Sequence, residues 1–433
     1  MARAELTVRA AGRDLAVVAA AGALVVAASV RGRELLAAGV DIFLGFPPLL
    51  AGWLPHVGPG TPAAVAIGIV AVTSGPALAQ RLAWRSLLWT AWATASAWTV
   101  SLALVDGWQR GVVERLTTDQ EYLHDVPRVP DIGAMLRTFA DHILTDQAVF
   151  WSTHVGAHPP GALVTFVLLD RVGLGGGGPS GVVVMLVASS ACIAVAVTLQ
   201  ALGHEDLARR ALPFGVLLPG AVWMGVSADG LFAGVLAWGV ALLAIGATRR
   251  PLAAVAGGVL LGYCLYLSYG LVLAGLLPLA VLLATRNIRA GLLAVAGAGA
   301  VITAFTLSGF WWFTGFAHVQ VIYAASIAST RPYSYFVWAN LAAVAFAMGP
   351  AIVTGLRRLR DLPRAAMLLV TAAVGAILLA DLSGMSKAEV ERIWLPFVVW
   401  LVVPCALLPR ARWWLAGQVV LALAVNHLLL TVW

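Results

Sequence analysis

The chain has 433 residues, 61% hydrophobic and only 11% charged, with a mean hydropathy of +0.92. This excludes a soluble globule, in which about a quarter of the residues are charged. The net charge of +7 comes from arginine, since Lys387 is the only lysine; the arginines are scattered between apolar runs, which excludes the basic patch or stripe of a nucleic-acid binder.

Read in order, the apolar runs fall near 15–30, 62–80, 86–106, 180–201, 207–225, 230–247, 252–268, 270–285, 290–309, 335–356, 364–380, 394–409 and 413–431. Each predicts a membrane helix, because in lipid every backbone polar group must be satisfied within its own segment. The fold class is therefore an all-α polytopic membrane protein of about 13 (12–14) transmembrane helices, with 35–54 as the uncertain extra one. No small-residue cleavage site follows the first run, which reads as a span and not as a cleaved leader. Cys192, Cys264 and Cys405 lie singly inside apolar segments and read as small buried hydrophobes.

The arginine clusters at 81/85, 209/210, 249/250, 286/289, 357/358/360/364 and 410/412 predict one cytoplasmic side. Arg3, Arg9 and Arg13 argue for a cytoplasmic start. Alternation then divides the chain into N-terminal membrane helices (1–106), a large helical extracytoplasmic loop (107–178) and a membrane bundle (179–433) with outer loops at 310–334 and 381–393. This parity requires the run 161–172 to lie along the outer interface without spanning. The expected location is the cytoplasmic membrane, multi-pass, with the loops outside.

The stretch Thr118–Pro160 holds five Asp and four His, in a chain that is otherwise nearly all apolar helix. Titratable side chains on a loop carried by a rigid scaffold are where binding and catalysis sit. Three further outer segments carry polar residues: Ser227-Ala228-Asp229, Ser329-Thr330-Arg331-Pro332-Tyr333, and Asp381 to Pro396 with Lys387, Glu389, Glu391 and Arg392. A loop carboxylate can take a proton from an attacking hydroxyl. His158, Arg331, Arg392 and Lys387 can hold a phosphate. Tyr122, His154, Tyr333 and Glu391 are the candidates for a sugar or acceptor pocket, although an outer tyrosine equally fits the interfacial belt and Glu391-Arg392 equally fits a structural pair. Asp119, Glu121, Asp125, His154 and His158 match no standard zinc spacing; a divalent cation stays open, and no other cofactor is implied.

Asp119-Gln120-Glu121-Tyr122, then Met135-Leu136-Arg137, then His158-Pro159-Pro160 resemble the first outer loop of GT-C membrane glycosyltransferases. The similarity is to the protein mannosyltransferase and aminoarabinose transferase branch. Ala228-Asp229-Gly230-Leu231-Phe232, the hairpin Gly262–Pro278 and Glu391-Arg392-Ile393-Trp394-Leu395-Pro396 follow in that family's order, so the resemblance covers roughly 86–410. It implies inverting transfer of a sugar from a polyprenyl-phosphate donor to a hydroxyl of an envelope glycan, glycolipid or protein. On this resemblance Asp119 is the catalytic base and Asp229 the acid at the hairpin mouth; Glu121 and Asp125, in the same loop, read as further supporting acids, Asp125 being the alternative base. His158 stands for the donor-binding lysine, and Arg392 for a basic residue against the donor. The chain departs from the pattern at Gln120, where a second acid is expected, and at Ala157.

The competing reading is a transporter or lipid flippase, which needs polar residues along a path through the bundle. Asn340, Asn426 and His427 are scattered, and no internal repeat is visible.

Overall fold

The computed structural model describes residues 2–432, with side chains from Gly12 onward. The side chains of Arg3 and Arg9 lie outside the described ones. Thirteen main helices run in order: α1 Ala2–Ala37, α2 Thr61–Arg81, α3 Trp84–Ala103, α4 Gly177–Ala201, α5 Glu205–Val216, α6 Ala228–Thr248 and α7 Leu252–Leu267. They continue as α8 Tyr269–Thr285, α9 Ile288–Leu307, α10 Tyr333–Gly355, α11 Arg364–Leu382, α12 Leu395–Leu407 and α13 Ala411–Leu428. Among the described residues, eight helices are long and apolar enough to cross a membrane.

The run 35–54 is not a span. Residue Ala37 ends α1, and after an irregular stretch β1 (Ala51–Trp53) pairs antiparallel with β2 (Leu429–Thr431), joining the connection between α1 and α2 to the segment after α13. The segment 161–172 does not lie along the lipid surface for most of its length. Its helix, Gly161–Leu169, is mostly buried, and Gly161 sits so close to Tyr266 of α7 that a Cβ would come within 2.6 Å of that carbonyl. An apolar helix hidden on most sides is stable only when packed among others.

Close approach through small residues holds the bundle, as expected where lipid removes the hydrophobic drive between helices. Gly258 and Gly262 of α7 meet Ala294 and Ala298 of α9; a Cβ at Gly258 would lie 2.0 Å from the Ala294 carbonyl. Helix α10 breaks at Gly349 (φ 71°) and Pro350. Gln418 of α13, fully buried, repairs the break: its amide donates to Met348 O (2.9 Å) and its Oε1 accepts from Ala351 N (3.1 Å). Asn426 likewise donates to Leu102 O (2.9 Å). The buried amides thus satisfy backbone groups, the ordinary requirement for a buried polar group.

The helix ends sort into two faces. On one, Asp14 of α1 pairs with Arg357 and Arg358, Arg209 donates to Ala79 and Leu82 carbonyls (2.9 Å each), and Arg249 donates to Gln200 (3.0 Å). The other face gathers the 104–176 loop, the start of α6, the helix Trp312–Ala325 and the connection between α11 and α12. Its members are tied by Arg115 to Thr431 O (2.7 Å), His318 to Ala140 O (2.9 Å), and Tyr323 to Gly384 O (2.6 Å).

Candidate active site

The 118–160 loop is shaped by its own acids. Asp125 is fully buried, accepts from Ser152 N (2.8 Å) and pairs with Arg128, whose guanidinium stacks 4.8 Å over the Trp151 ring. Asp131 caps the helix Ile132–Thr138 by accepting from Ala134 N (2.5 Å), the usual task of an N-cap aspartate. These contacts fix the short helix Tyr122–Asp125 and turn Glu121, just before it, inward. Asp125, expected as a supporting acid, is thus committed to Ser152 and Arg128 within the loop.

Glu121, at the foot of that helix, is buried, and its Oε1 lies 2.8 Å from Nδ1 of His154. Burial opposes its charge, but His154, Arg392 and His158 together outweigh that and hold the carboxyl below its ordinary range. Tyr122 places its hydroxyl 2.9 Å from Nδ1 of His158 and stacks on Phe166 at 5.2 Å. Burial in turn pushes the His158 imidazole below its ordinary 6.5 despite Asp229 nearby. That shift works against the positive charge expected of His158 toward a donor phosphate.

Ser227 caps α6, its hydroxyl accepting from Gly230 N (3.3 Å), and so sets Asp229 in the first turn. Asp229 is buried and accepts from Arg392 (2.6 Å), whose second terminal nitrogen donates to Glu389 (2.9 Å). Burial opposes the Arg392 charge, but Asp229, Glu389 and Glu121 overcome this and raise its pKa further. The chain before Arg392 is strained: Ala388 (φ 72°) and Glu389 (φ 61°) both adopt left-handed backbone. Asn340 of α10 pins this turn, accepting from Ala388 N (3.2 Å) and donating to Ser386 O (2.8 Å) and Asp381 (2.8 Å). Glu391, in the short helix Val390–Ile393 outside the spans, is fully buried with neither carboxyl oxygen hydrogen-bonded, and burial lifts it to about 8.

Beside the Asp229–Arg392 pair lies a small cleft of about 30 Å³ lined by Asp229, Phe232, Ser268, Ser386, Trp394 and Phe397. The Trp394 indole N–H is buried and has no protein partner among the described residues. Next to the cluster, Arg331 donates to Ile42 O (3.2 Å) and Lys387 O (2.6 Å), and approaches Glu389 at 3.9 Å. Lys387 donates to Ser329 O (3.3 Å).

The fold thus gathers Glu121, Tyr122, His154, His158, Asp229 and Arg392, with Arg331, Lys387 and Glu391 alongside. Two expected residues stand apart. Asp119 is exposed, with no ion pair or hydrogen bond among the described residues, because the turn that buries Glu121 leaves the position two residues earlier in solvent. Tyr333 is exposed and donates only to Leu382 O (3.2 Å). The sequence assigns no site role to Glu389, Asn340, Ser268 or Trp394; of these only Glu389 carries a signal, three residues before Arg392. Among the described residues no group of three His, Cys, Asp or Glu is arranged to hold a metal ion. The acids here face cations, not one another.

No family model matches the chain, and no curated protein matches it in sequence. Among solved structures, ArnT from Cupriavidus metallidurans in the apo state is similar at 17% identity and a TM-score of 0.41, over 64% of this chain. The match spans 54% of that protein, little more than half its length.

Proposed function

We propose that this chain is a membrane glycosyltransferase that moves a sugar from a polyprenyl-phosphate donor to a hydroxyl acceptor. The observation that carries the reading is the buried, ionised Glu121, paired with His154 and held in the field of Arg392 beside a cleft. In this reading Glu121 is the base, taking over the role the sequence resemblance gave to Asp119. Acting directly or through His154, it accepts the proton as the acceptor oxygen attacks the anomeric carbon. The bond from that carbon to the phosphate oxygen breaks, and the polyprenyl phosphate leaves with the electron pair. Arg392, with Arg331 and Lys387, stabilises the negative charge of the leaving phosphate.

The arginine distribution supports an outward-facing site. If the arginine-rich face is cytoplasmic, thirteen alternating spans put the loop, the Asp229 turn and the Arg392 segment together outside. A flippase would need a polar path through the bundle, whereas Gln418 and Asn426 bind backbone there. The test is purified protein in nanodiscs assayed against a panel of polyprenyl-phosphate sugars with hydroxyl acceptors. Release of polyprenyl phosphate coupled to glycosylated product is expected. Transbilayer movement of these lipids without product would contradict the reading.

A further inference from the structure

Arg392 is contacted by two carboxylates at once: Asp229 at 2.6 Å and Glu389 at 2.9 Å. The other oxygen of Glu389 lies 3.9 Å from Arg331. One carboxylate therefore bridges the two guanidinium groups that the proposed function assigns to the donor phosphate. Carboxylate and phosphate present the same feature to arginine, a pair of oxygens that a guanidinium fork can grip.

The charge balance makes this arrangement consequential. Two guanidinium groups, Arg331 and Arg392, meet the carboxylates of Asp229 and Glu389, while the Glu121 carboxyl lies against His154. Each guanidinium is already matched by a carboxylate. A donor phosphate would add uncompensated negative charge in a largely buried place, which is costly. Release of one carboxylate restores the balance.

Glu389 is the acid best placed to leave. Its side chain is 19% exposed, against 7% for Asp229 and 5% for Glu121. It also sits on the left-handed Ala388–Glu389 turn, and strained backbone of this kind clusters at ligand clamps and switch regions. Asn340 grips this turn only through its backbone, leaving the Glu389 side chain to swing.

We infer that the Glu389 carboxylate is a resident stand-in for the donor phosphate, bridging Arg392 and Arg331 until the phosphate of the lipid-linked sugar displaces it. The inference rests on the reading of function above and adds a competitor inside the donor site. A residue with a merely structural role would weaken ligand binding when changed; a competitor strengthens it.

The experiment measures the Kd of polyprenyl monophosphate for the full chain in nanodiscs, comparing wild type with Glu389→Gln and Glu389→Ala and checking each by thermal melting. Tightening by about tenfold in either folded variant is the expected result, from removal of one competing charge. Wild-type binding with unchanged or weaker affinity in the variants would overturn this inference while leaving the glycosyltransferase reading intact. Failure of wild type and variants alike to bind the probe would overturn both.

Discussion

Two ion clusters sit at opposite ends of the bundle and use the same side chains to different effect. At the arginine-rich face, one acid, Asp14, is shared by Arg357 and Arg358 and ties α1 to the end of α10. At the loop face, one arginine, Arg392, is shared by Asp229 and Glu389, beside a cleft, a carboxyl without a hydrogen bond and a strained turn. The first cluster is complete in itself and joins two helices. The second joins the start of α6 to the 389–392 turn, two segments distant in sequence. Glu391 and Trp394, next to this cluster, keep buried polar atoms without a hydrogen-bond partner among the described residues, the exception in native proteins.

The contrast is broken or sharpened first by a paired substitution. Arg392→Ala is expected to lower turnover on the order of 10²–10³-fold, as loss of a preorganised charge stabiliser does. Asp14→Asn is expected to destabilise the folded protein by about 2 kcal/mol while turnover per folded molecule stays near wild type. Initial rates and detergent-phase melting curves on the same preparations separate the two. Equal loss of rate in both variants would erase the distinction between clamp and site.

Much of this arrangement was readable in the sequence. Apolar runs place nearly every helix, since a bilayer imposes both length and helicity. Arginine clustering separates the two faces, and the outer segments containing Asp229 and Arg392 stand out as polar islands. What escaped was decided by packing. The run 35–54 is apolar enough to suggest a span, yet its end pairs as a strand with Leu429–Thr431, a contact between chain ends that no local pattern reveals. Asp119 and Glu121 are chemically alike and two residues apart; only the turn fixed by Asp125 and Ser152 decides which one is buried. Asn340 looked like a stray polar residue because its partners, Ser386 and Ala388, lie more than forty positions away.

A smaller effect concerns the carboxyl without a hydrogen bond. Burial raises Glu391 from 4.5 to about 8, so between those values the folded protein keeps a proton that the unfolded chain has released. Stability from this group is therefore fully present below about pH 4.5 and declines as the pH rises toward 8. The melting temperature should fall across that window in wild type, and Glu391→Gln should flatten the slope. An unchanged slope in the variant would place the titration on another group.

The central claim is that Glu121, and not its exposed neighbour, is the base. Its most direct test is the turnover of Glu121→Gln and Asp119→Asn measured side by side on one donor and acceptor pair, with both variants confirmed as folded. Glu121→Gln should lose activity by about 10²–10⁴-fold, the usual contribution of a positioned general base, whereas Asp119→Asn should stay within a few-fold of wild type. The reverse ranking would contradict the account.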